Sequence, residues 1–264
     1  MEDYLEINRK AWNDRTEFHI ASEFYNQREF LQGKNSLNEI ELSLLRAIQN
    51  KKILHLQCHF GQDTISLSRL GAIATGVDFS DKAIDFAKKT AKELKLDTQF
   101  INCDIYSLPH FSNEKFDIVF TSYGTIGWLP DLEKWANIVA MFLKPGGKFI
   151  MADFHPVVWM FDNNFKEIQY RYFKDEPIIE ELTGTYAEKN APISRKEISW
   201  NHSLSELINS LLKQNLELNE FHEYDCSPYD CFNETVEINP GKFRIKHLKN
   251  KIPMVYSILA TKKP

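Results

Sequence analysis

Apolar positions along the chain recur with two alternating periods, and the alternation divides the chain into elements. Tyr4, Ile7, Ala11 and Trp12 fall at helical spacing and predict an amphipathic first helix over about 2–15. Trp12, Phe18, His19, Phe24 and Tyr25 then follow closely, as a segment that either packs on the domain or caps a ligand. The Ser36-Leu37-Asn38-Glu39 step has capping-box spacing and predicts a second helix that buries Ile40, Leu44 and Ile48. Residues 53–58 form a short apolar run, the first strand. A turn containing Gly61 leads into a helix that stops at Gly71, a natural C-cap residue. A second strand over 73–77 and a helix capped by Ser80, with the stripe Ile84, Ala87, Ala91 and Leu94, repeat the unit. A third strand falls at 98–102. The run Phe116-Asp117-Ile118-Val119-Phe120-Thr121 predicts a fourth, buried on both faces of a parallel sheet. Trp135, Ile138, Val139 and Phe142 mark another helix, and Lys144-Pro145-Gly146-Gly147 turns into a fifth strand over 148–152. Five alternating strand and helix units imply a doubly wound α/β sheet.

Between 153 and 202 the rhythm breaks. The stretch is rich in Phe, Tyr and Trp and holds two β-like pieces, 178–186 and 193–200, which predicts an insertion folded back as a lid. Ser203-Leu204-Ser205-Glu206 offers a second capping box for a helix through Leu207, Ile208, Leu211 and Leu212. Residues 216–224 and 254–261 read as the last two strands, separated by a polar loop. The whole reads as one domain: a helical cap (1–50), a core (51–153), the lid (154–202) and the remainder of the core sheet (203–264).

Composition narrows the function classes. With 43% hydrophobic and 26% charged residues the chain is of ordinary soluble globular type. A net charge of −5 argues against a nucleic-acid backbone as the main partner, since phosphate binding needs concentrated Lys and Arg. The polar, acidic start MEDYLEINRK predicts neither a signal nor a transit peptide, and no apolar run approaches the ~20 residues of a membrane span. Four scattered cysteines are too few for a disulfide framework, so the expectation is a cytoplasmic protein with reduced thiols.

The candidate chemistry centres on 53–80. There a strand, a turn with Gly61, a helix and a second strand ending in Asp78 have the form of a β-α-β nucleotide site. Asp78 follows Gly61 at close to the ~20-residue separation expected of a ribose-binding acid. Gln57 and His59 stand where glycines are usual. A metal at His55, Cys58 and His59 is disfavoured because alternation sends Cys58 to the face opposite His55, and no fourth ligand is near. Cys58 and His59 diverge as neighbours on an extended chain, which also disfavours a nucleophile pair, and Cys226 and Cys231 read as free thiols. Asp153-Phe154-His155-Pro156 lies at the carboxyl end of the fifth strand, where open α/β sheets bind ligands, and makes His155 a candidate general base. His19, His202, His222 and Tyr229 are weaker candidates for the same pocket.

The segments ILHLQCHFGQD, GVDFS, Asn102-Cys103-Asp104, FDIVFTSYG and LKPGGKFIMADFHP, taken together over about 51–156, resemble the class I S-adenosylmethionine-dependent methyltransferases, in particular the small-molecule group called type 11. WNDRTEFH, LHLQCHFGQDT and TSYGTIGWLPDL are similar to a bacterial subgroup of these. The resemblance implies a Rossmann-like seven-stranded sheet of order 3-2-1-4-5-7-6 with strand 7 antiparallel. It places Gln57, His59 and Gly61 beside the methionine part of the cofactor, Asp78 on the ribose hydroxyls, Phe79 against adenine, and Asp104 with Ile105 near the adenine amino group. Thr121, Ser122 and Tyr123 fall where cofactor and acceptor meet, and Trp12, His19, Tyr123 and Trp159 become candidates for the substrate side. This sequence departs from the family at His55, where an acid is usual, and at Gln57 and His59. Gln57 is expected to stay extended and turn its amide toward the cofactor's amino-acid moiety. The implied function is in-line methyl transfer from S-adenosylmethionine to a small-molecule acceptor, leaving S-adenosylhomocysteine, with aromatic lid faces suited to a sulfonium. A non-catalytic cofactor-binding module, a protein or RNA methyltransferase, and a nicotinamide-dependent oxidoreductase are the alternatives. The last lacks its G-x-G-x-x-G loop here.

Overall fold

The computed structural model describes residues 3–264. Five parallel strands, β1 (Lys52–Leu56), β2 (Ile73–Asp78), β3 (Gln99–Asn102), β4 (Phe116–Ser122) and β5 (Leu143–Phe154), alternate with α4 (Gln62–Arg69), α5 (Asp81–Glu93) and α6 (Leu132–Phe142). Three helices precede them: α1 (Tyr4–Ala21), α2 (Gln27–Leu31) and α3 (Glu39–Leu44). After them come β6 (Ile178–Thr183), β7 (Ser194–Ser199), α7 (Leu204–Lys213), β8 (Leu216–Tyr224), β9 (Thr235–Asn239), β10 (Lys242–Ile245) and β11 (Val255–Lys262). The large sheet has the order β3-β2-β1-β4-β5-β11-β8. Setting aside the four strands outside it, this is the order 3-2-1-4-5-7-6, with β11 antiparallel to both neighbours.

Continuous apolar runs make these strands because the sheet is covered twice. Leu54, Leu56, Val119 and Phe149 meet Trp135 and Val139 of α6 and Leu207 of α7 on one face. Ile53, Ile118, Phe120 and Ile150 meet Leu44 of α3 and Leu67 of α4 on the other. Local signals set the helix starts: the Ser80 hydroxyl accepts the Ala83 N–H at 3.1 Å, and the Ser203 hydroxyl that of Glu206 at 3.2 Å.

Four expectations are corrected. The α3 capping box is Asn38 with Glu41, whose Oε1 accepts the Asn38 N–H at 2.7 Å, while Ser36 instead meets the Ser66 hydroxyl at 2.9 Å. At Ser203 only half of the predicted box forms, because the Glu206 carboxylate turns to His202 (3.1 Å) and Lys174 (3.3 Å). The segment before β11 is not simply a polar loop, since β9 and β10 pair in it as an antiparallel hairpin. The first helix runs on to Ala21, and its predicted start at position 2 lies outside the described residues.

The lid strands β6 and β7 pair antiparallel as a separate two-stranded sheet. Helix α1 lies along β7 and is joined to it by side chains. Asn8 donates to the Ile198 carbonyl at 2.7 Å and accepts its N–H at 2.9 Å, and Tyr4 meets Trp200 edge-on at 5.3 Å. Cap and lid thereby form one roof above the carboxyl ends of the sheet strands. Among the described residues, no helix is long and apolar enough to cross a membrane.

Candidate functional site

Under that roof lies a cavity of about 920 Å³. Its floor is the turn after β1, where three alternate residues are left-handed: Gln57 (φ 55°), His59 (φ 50°) and Gly61 (φ 83°). The expectation that Gln57 stays extended is therefore overturned. The turn takes the course glycines would give it because its neighbours over-determine it. Cys58 donates its N–H to Val77 O at 2.9 Å, and His59 donates its own to Asp78 Oδ2 at 2.8 Å. Each non-glycine residue held this way costs about 1–2 kcal/mol of backbone strain. At Gly61 no such exchange is open, since a Cβ would sit 2.7 Å from the Phe100 ring and 2.9 Å from Ala87.

The substituted side chains have partners of their own. Gln57 Nε2 donates to Thr125 O at 2.8 Å, which fixes the amide orientation and leaves Oε1 buried without a partner. His59 Nε2 lies 2.9 Å from His19 Nδ1. Burial, with Arg15 nearby, lowers the His59 pKa to about 3, so the imidazole is neutral. Its ring meets Trp12 at 5.0 Å, and the Arg15 guanidinium lies over the same indole at 4.3 Å.

Asp78 ends β2 with one oxygen on His59 and the other accepting the Ser80 N–H at 2.9 Å. Burial raises its pKa to about 6 against the pull of those N–H groups. Asp104 caps the short 3-10 turn Ile105–His110 by accepting the Ser107 N–H at 3.1 Å and hydroxyl at 3.0 Å. The eight residues named for the cofactor, from Gln57 to Ser122, all line the cavity, as do Trp12, Tyr123 and Trp159.

Two candidates do not line it. His19 is fully buried behind His59 and supports that ring. His155 is 3% exposed and points out of the site: Nε2 lies 2.9 Å from Glu223 Oε1, and Nδ1 accepts the Val157 N–H at 3.1 Å. The reason is the reversed strand beside β5, on which Met254 O takes the His155 N–H at 2.9 Å and draws the residue toward β11 and β8. A general base at His155 is thus excluded by placement. Its neighbour Asp153 faces inward and braces the loop after β4, accepting from the Gly124 N–H and from the Thr125 hydroxyl at 3.0 Å. Among the weaker candidates, His202 and Tyr229 line the cavity, although His202 spends Nε2–H on Leu129 O (2.8 Å) and has Nδ1 beside Glu206, and His222 is exposed beside Glu220.

Several site residues carried no sequence signal. Arg15 is 2% exposed, is paired with Glu197 of β7, and keeps Nε without a partner. Arg195 pairs with the same carboxylate. Asp63 accepts the Ser122 hydroxyl at 3.1 Å, and His55, standing where an acid is usual, lies 3.4 Å from that hydroxyl and 2.9 Å from Thr64 Oγ1. Tyr123 donates to the fully buried Glu41 at 2.9 Å. These contacts join residues far apart in the chain, and no local pattern encodes them.

Residues 53–147 match the family described as a methyltransferase domain. The chain is 27% identical over 154 residues to a ubiquinone biosynthesis O-methyltransferase of Coxiella burnetii, across 57% of this chain and 62% of that protein. It is 32% identical over 131 residues to an uncharacterized methyltransferase of Synechocystis, across 49% and 59%. The chain thus spans less than two thirds of the length of these relatives. In fold it is similar to the geranyl diphosphate C-methyltransferase of Streptomyces coelicolor, solved with Mg2+, geranyl-S-thiolodiphosphate and S-adenosyl-L-homocysteine (TM-score 0.61, 15% identity, 99% of each chain). A Clostridium acetobutylicum S-adenosylmethionine-dependent methyltransferase is similar too (TM-score 0.59, 15% identity, 97% of this chain and 99% of that one). Residues 53–147 are thus similar to a methyltransferase domain, and the sheet as a whole has the fold of the solved S-adenosylmethionine-dependent methyltransferases.

Proposed function

We propose that the protein transfers a methyl group from S-adenosylmethionine to a small-molecule acceptor. The observation that carries the reading is Asp78, a buried carboxylate at the end of β2 that lines the cavity and keeps a lone pair free on each oxygen beside the N–H it already accepts. Two vicinal hydroxyls are suited to those positions. The residues present also fit the other end of such a cofactor. The cavity wall holds an unpartnered donor, Arg15 Nε, and an unpartnered acceptor, Gln57 Oε1, which match a group carrying both a carboxylate and an ammonium. Phe79, Asp104 and Ile105 would receive the adenine, and Gly61 and His59 the methionine end.

The cofactor when bound supplies a methyl group activated by a sulfonium leaving group. The chain's share is alignment and exclusion of water. Helix α1 and the β6–β7 pair close over the cavity, Trp12 packs on His59 and Trp128, and Tyr123, Ser122 and Trp159 face the acceptor side. We read the chain as one domain, with cap 1–50, core 51–153, lid 154–202 and the rest of the sheet 203–264. Its four free thiols suit a cytoplasmic setting.

Calorimetric titration with S-adenosylhomocysteine and with NAD, followed by labelled methyl transfer to an acceptor panel, tests this. Binding of S-adenosylhomocysteine and label in an acceptor are expected. NAD binding without S-adenosylhomocysteine binding would sink the reading, and binding without transfer to any acceptor would leave a cofactor-binding module.

A further inference from the structure

One corner of the cavity has a charge balance that its own residues do not close. Asp63 lines it and the fully buried Glu41 stands behind the wall, the two joined through hydroxyls to the end of β4 and the residue after it. Ser122 donates to Asp63 Oδ2 at 3.1 Å, and Tyr123 to Glu41 Oε2 at 2.9 Å. The other Glu41 oxygen takes the Asn38 N–H and side-chain amide at 2.7 and 3.1 Å, and that amide also reaches the Tyr229 hydroxyl at 2.7 Å. Among the described residues no Lys, Arg or His forms an ion pair with either acid. Arg15 and Arg195, which lie on the Tyr186 side, are both drawn to Glu197.

Aromatic rings enclose the same corner. Tyr123 and Tyr229 meet at 5.0 Å nearly perpendicular, and Phe24 stacks on Tyr229 at 5.6 Å and meets Tyr186 at 5.5 Å. The Tyr25 and Tyr186 hydroxyls touch at 2.5 Å. Burial, and then Asp63 itself, raises the Glu41 carboxyl, which is how two acids in a low-dielectric pocket without a cation behave. A ligand cation offsets both the burial and the repulsion and gains the negative faces of the rings.

A separate feature asks for donors. Asn201 is 5% exposed, lines the same cavity, and donates its amide nitrogen to Pro156 O at 3.1 Å and Arg171 O at 3.0 Å. Two carbonyl acceptors fix which end of the amide is oxygen, and that oxygen has no partner.

We propose, resting on the methyltransferase reading above, that the acceptor is an amine, taken as its cation into the corner lined by Asp63, Tyr25, Tyr123, Tyr186 and Tyr229 and backed by the buried Glu41, so that nitrogen is the methylated atom. The ammonium gives one proton to Asp63 and regains its lone pair. The N–C bond forms as the C–S bond breaks, and that electron pair stays on sulfur. The product is a methylated ammonium with a neutral thioether, and the proton on Asp63 passes to solvent.

The test uses the full chain saturated with S-adenosylhomocysteine and three probes of matched size: 2-phenylethylamine, 2-phenylethanol and 3-phenylpropionate. Calorimetry is expected to show the amine binding at least tenfold more tightly than the alcohol, with the acid weakest. Asp63→Asn and Glu41→Gln, each checked by circular dichroism for folding, should each lower amine affinity about tenfold and leave S-adenosylhomocysteine affinity unchanged. With S-adenosylmethionine, mass spectrometry should find the amine methylated. Equal or absent amine binding, or a preference for the alcohol or acid, overturns the proposal while the cofactor reading stands on its own titration. If Asp63→Asn weakens S-adenosylmethionine but neither S-adenosylhomocysteine nor the amine, the carboxylate serves the sulfonium and the proposal also falls. Failure to bind S-adenosylhomocysteine removes both readings.

Discussion

The side chain of Asp78 accepts the backbone N–H of His59 at 2.8 Å, so the residue proposed to hold the ribose also pins the turn that carries the cofactor's other end. Removing it should act twice. Asp78→Ala is expected to weaken S-adenosylhomocysteine by about 1–3 kcal/mol, roughly 5- to 150-fold in dissociation constant, as hydroxyls lose their acceptor. It should also lower the melting temperature, because a left-handed His59 loses its brace. Calorimetry on the folded variant decides: an unchanged dissociation constant refutes the ribose assignment.

Glycine is the residue that φ 50° favours, yet His59→Gly is expected to destabilise the protein. Relief of strain is offset by the entropy glycine adds to the unfolded chain. What remains is the loss of packing against Trp12 and the exposure of a fault behind it, since His19, fully buried, is left with Nδ1 unpaired. An unsatisfied buried nitrogen costs about 1–3 kcal/mol. Urea unfolding at pH 7 measures the change, and a gain in stability would show that the His19 contact contributes nothing.

Asn8 joins roof to roof. Its amide exchanges two hydrogen bonds with Ile198 across a separation of 190 residues, at 1% exposure. Asn8→Ala leaves a buried N–H and C=O of β7 without partners, a loss of about 2–4 kcal/mol. Hydrogen exchange should rise first in β6 and β7 and spare β1 and β4. Uniform exchange throughout the chain would mean that the roof has no independent opening.

Acid should act through the buried histidines. Burial lowers the His55 pKa to about 3, whereas an unfolded imidazole titrates near ~6.5, so below that value the unfolded chain takes up a proton the folded one refuses. Stability held above pH ~6.5 is therefore lost progressively toward pH 3. Asp78 opposes this: its raised pKa of about 6 lets the folded chain bind a proton first, adding stability as pH falls from about 6 toward ~3.8. Comparing wild type with His55→Gln by urea unfolding at pH 7 and pH 5 cancels the carboxyl contribution. The wild type is expected to lose more stability than the variant; equal losses would place the His55 pKa near its unfolded value.

Much of the fold was legible because its signals are local. The double-faced burial of β1 and β4 shows as unbroken apolar runs, Ser80 and Ser203 cap the helices they precede, and Asp78 stands at the strand end where a ribose acid belongs. The family resemblance added the order of strands that periodicity alone leaves open. The Glu39 and Glu41 choice at α3 was already beyond reach, since both complete a plausible box and only the Tyr123 hydroxyl decides which carboxylate turns inward.

By itself, then, the sequence determined the succession of elements, the turn at Gly61 and the acid at the end of β2, since each depends on residues within a few positions of one another. Only the tertiary structure decided that Gln57 and His59 adopt left-handed backbone, that His155 faces Glu223 rather than the cavity, and that Asp63, Glu41 and Arg15 line or brace the site. Those outcomes are set by strands and helices brought together from distant parts of the chain. A residue's neighbours in space, and hence its conformation, charge and direction, exist only once the sheet and its roof have closed.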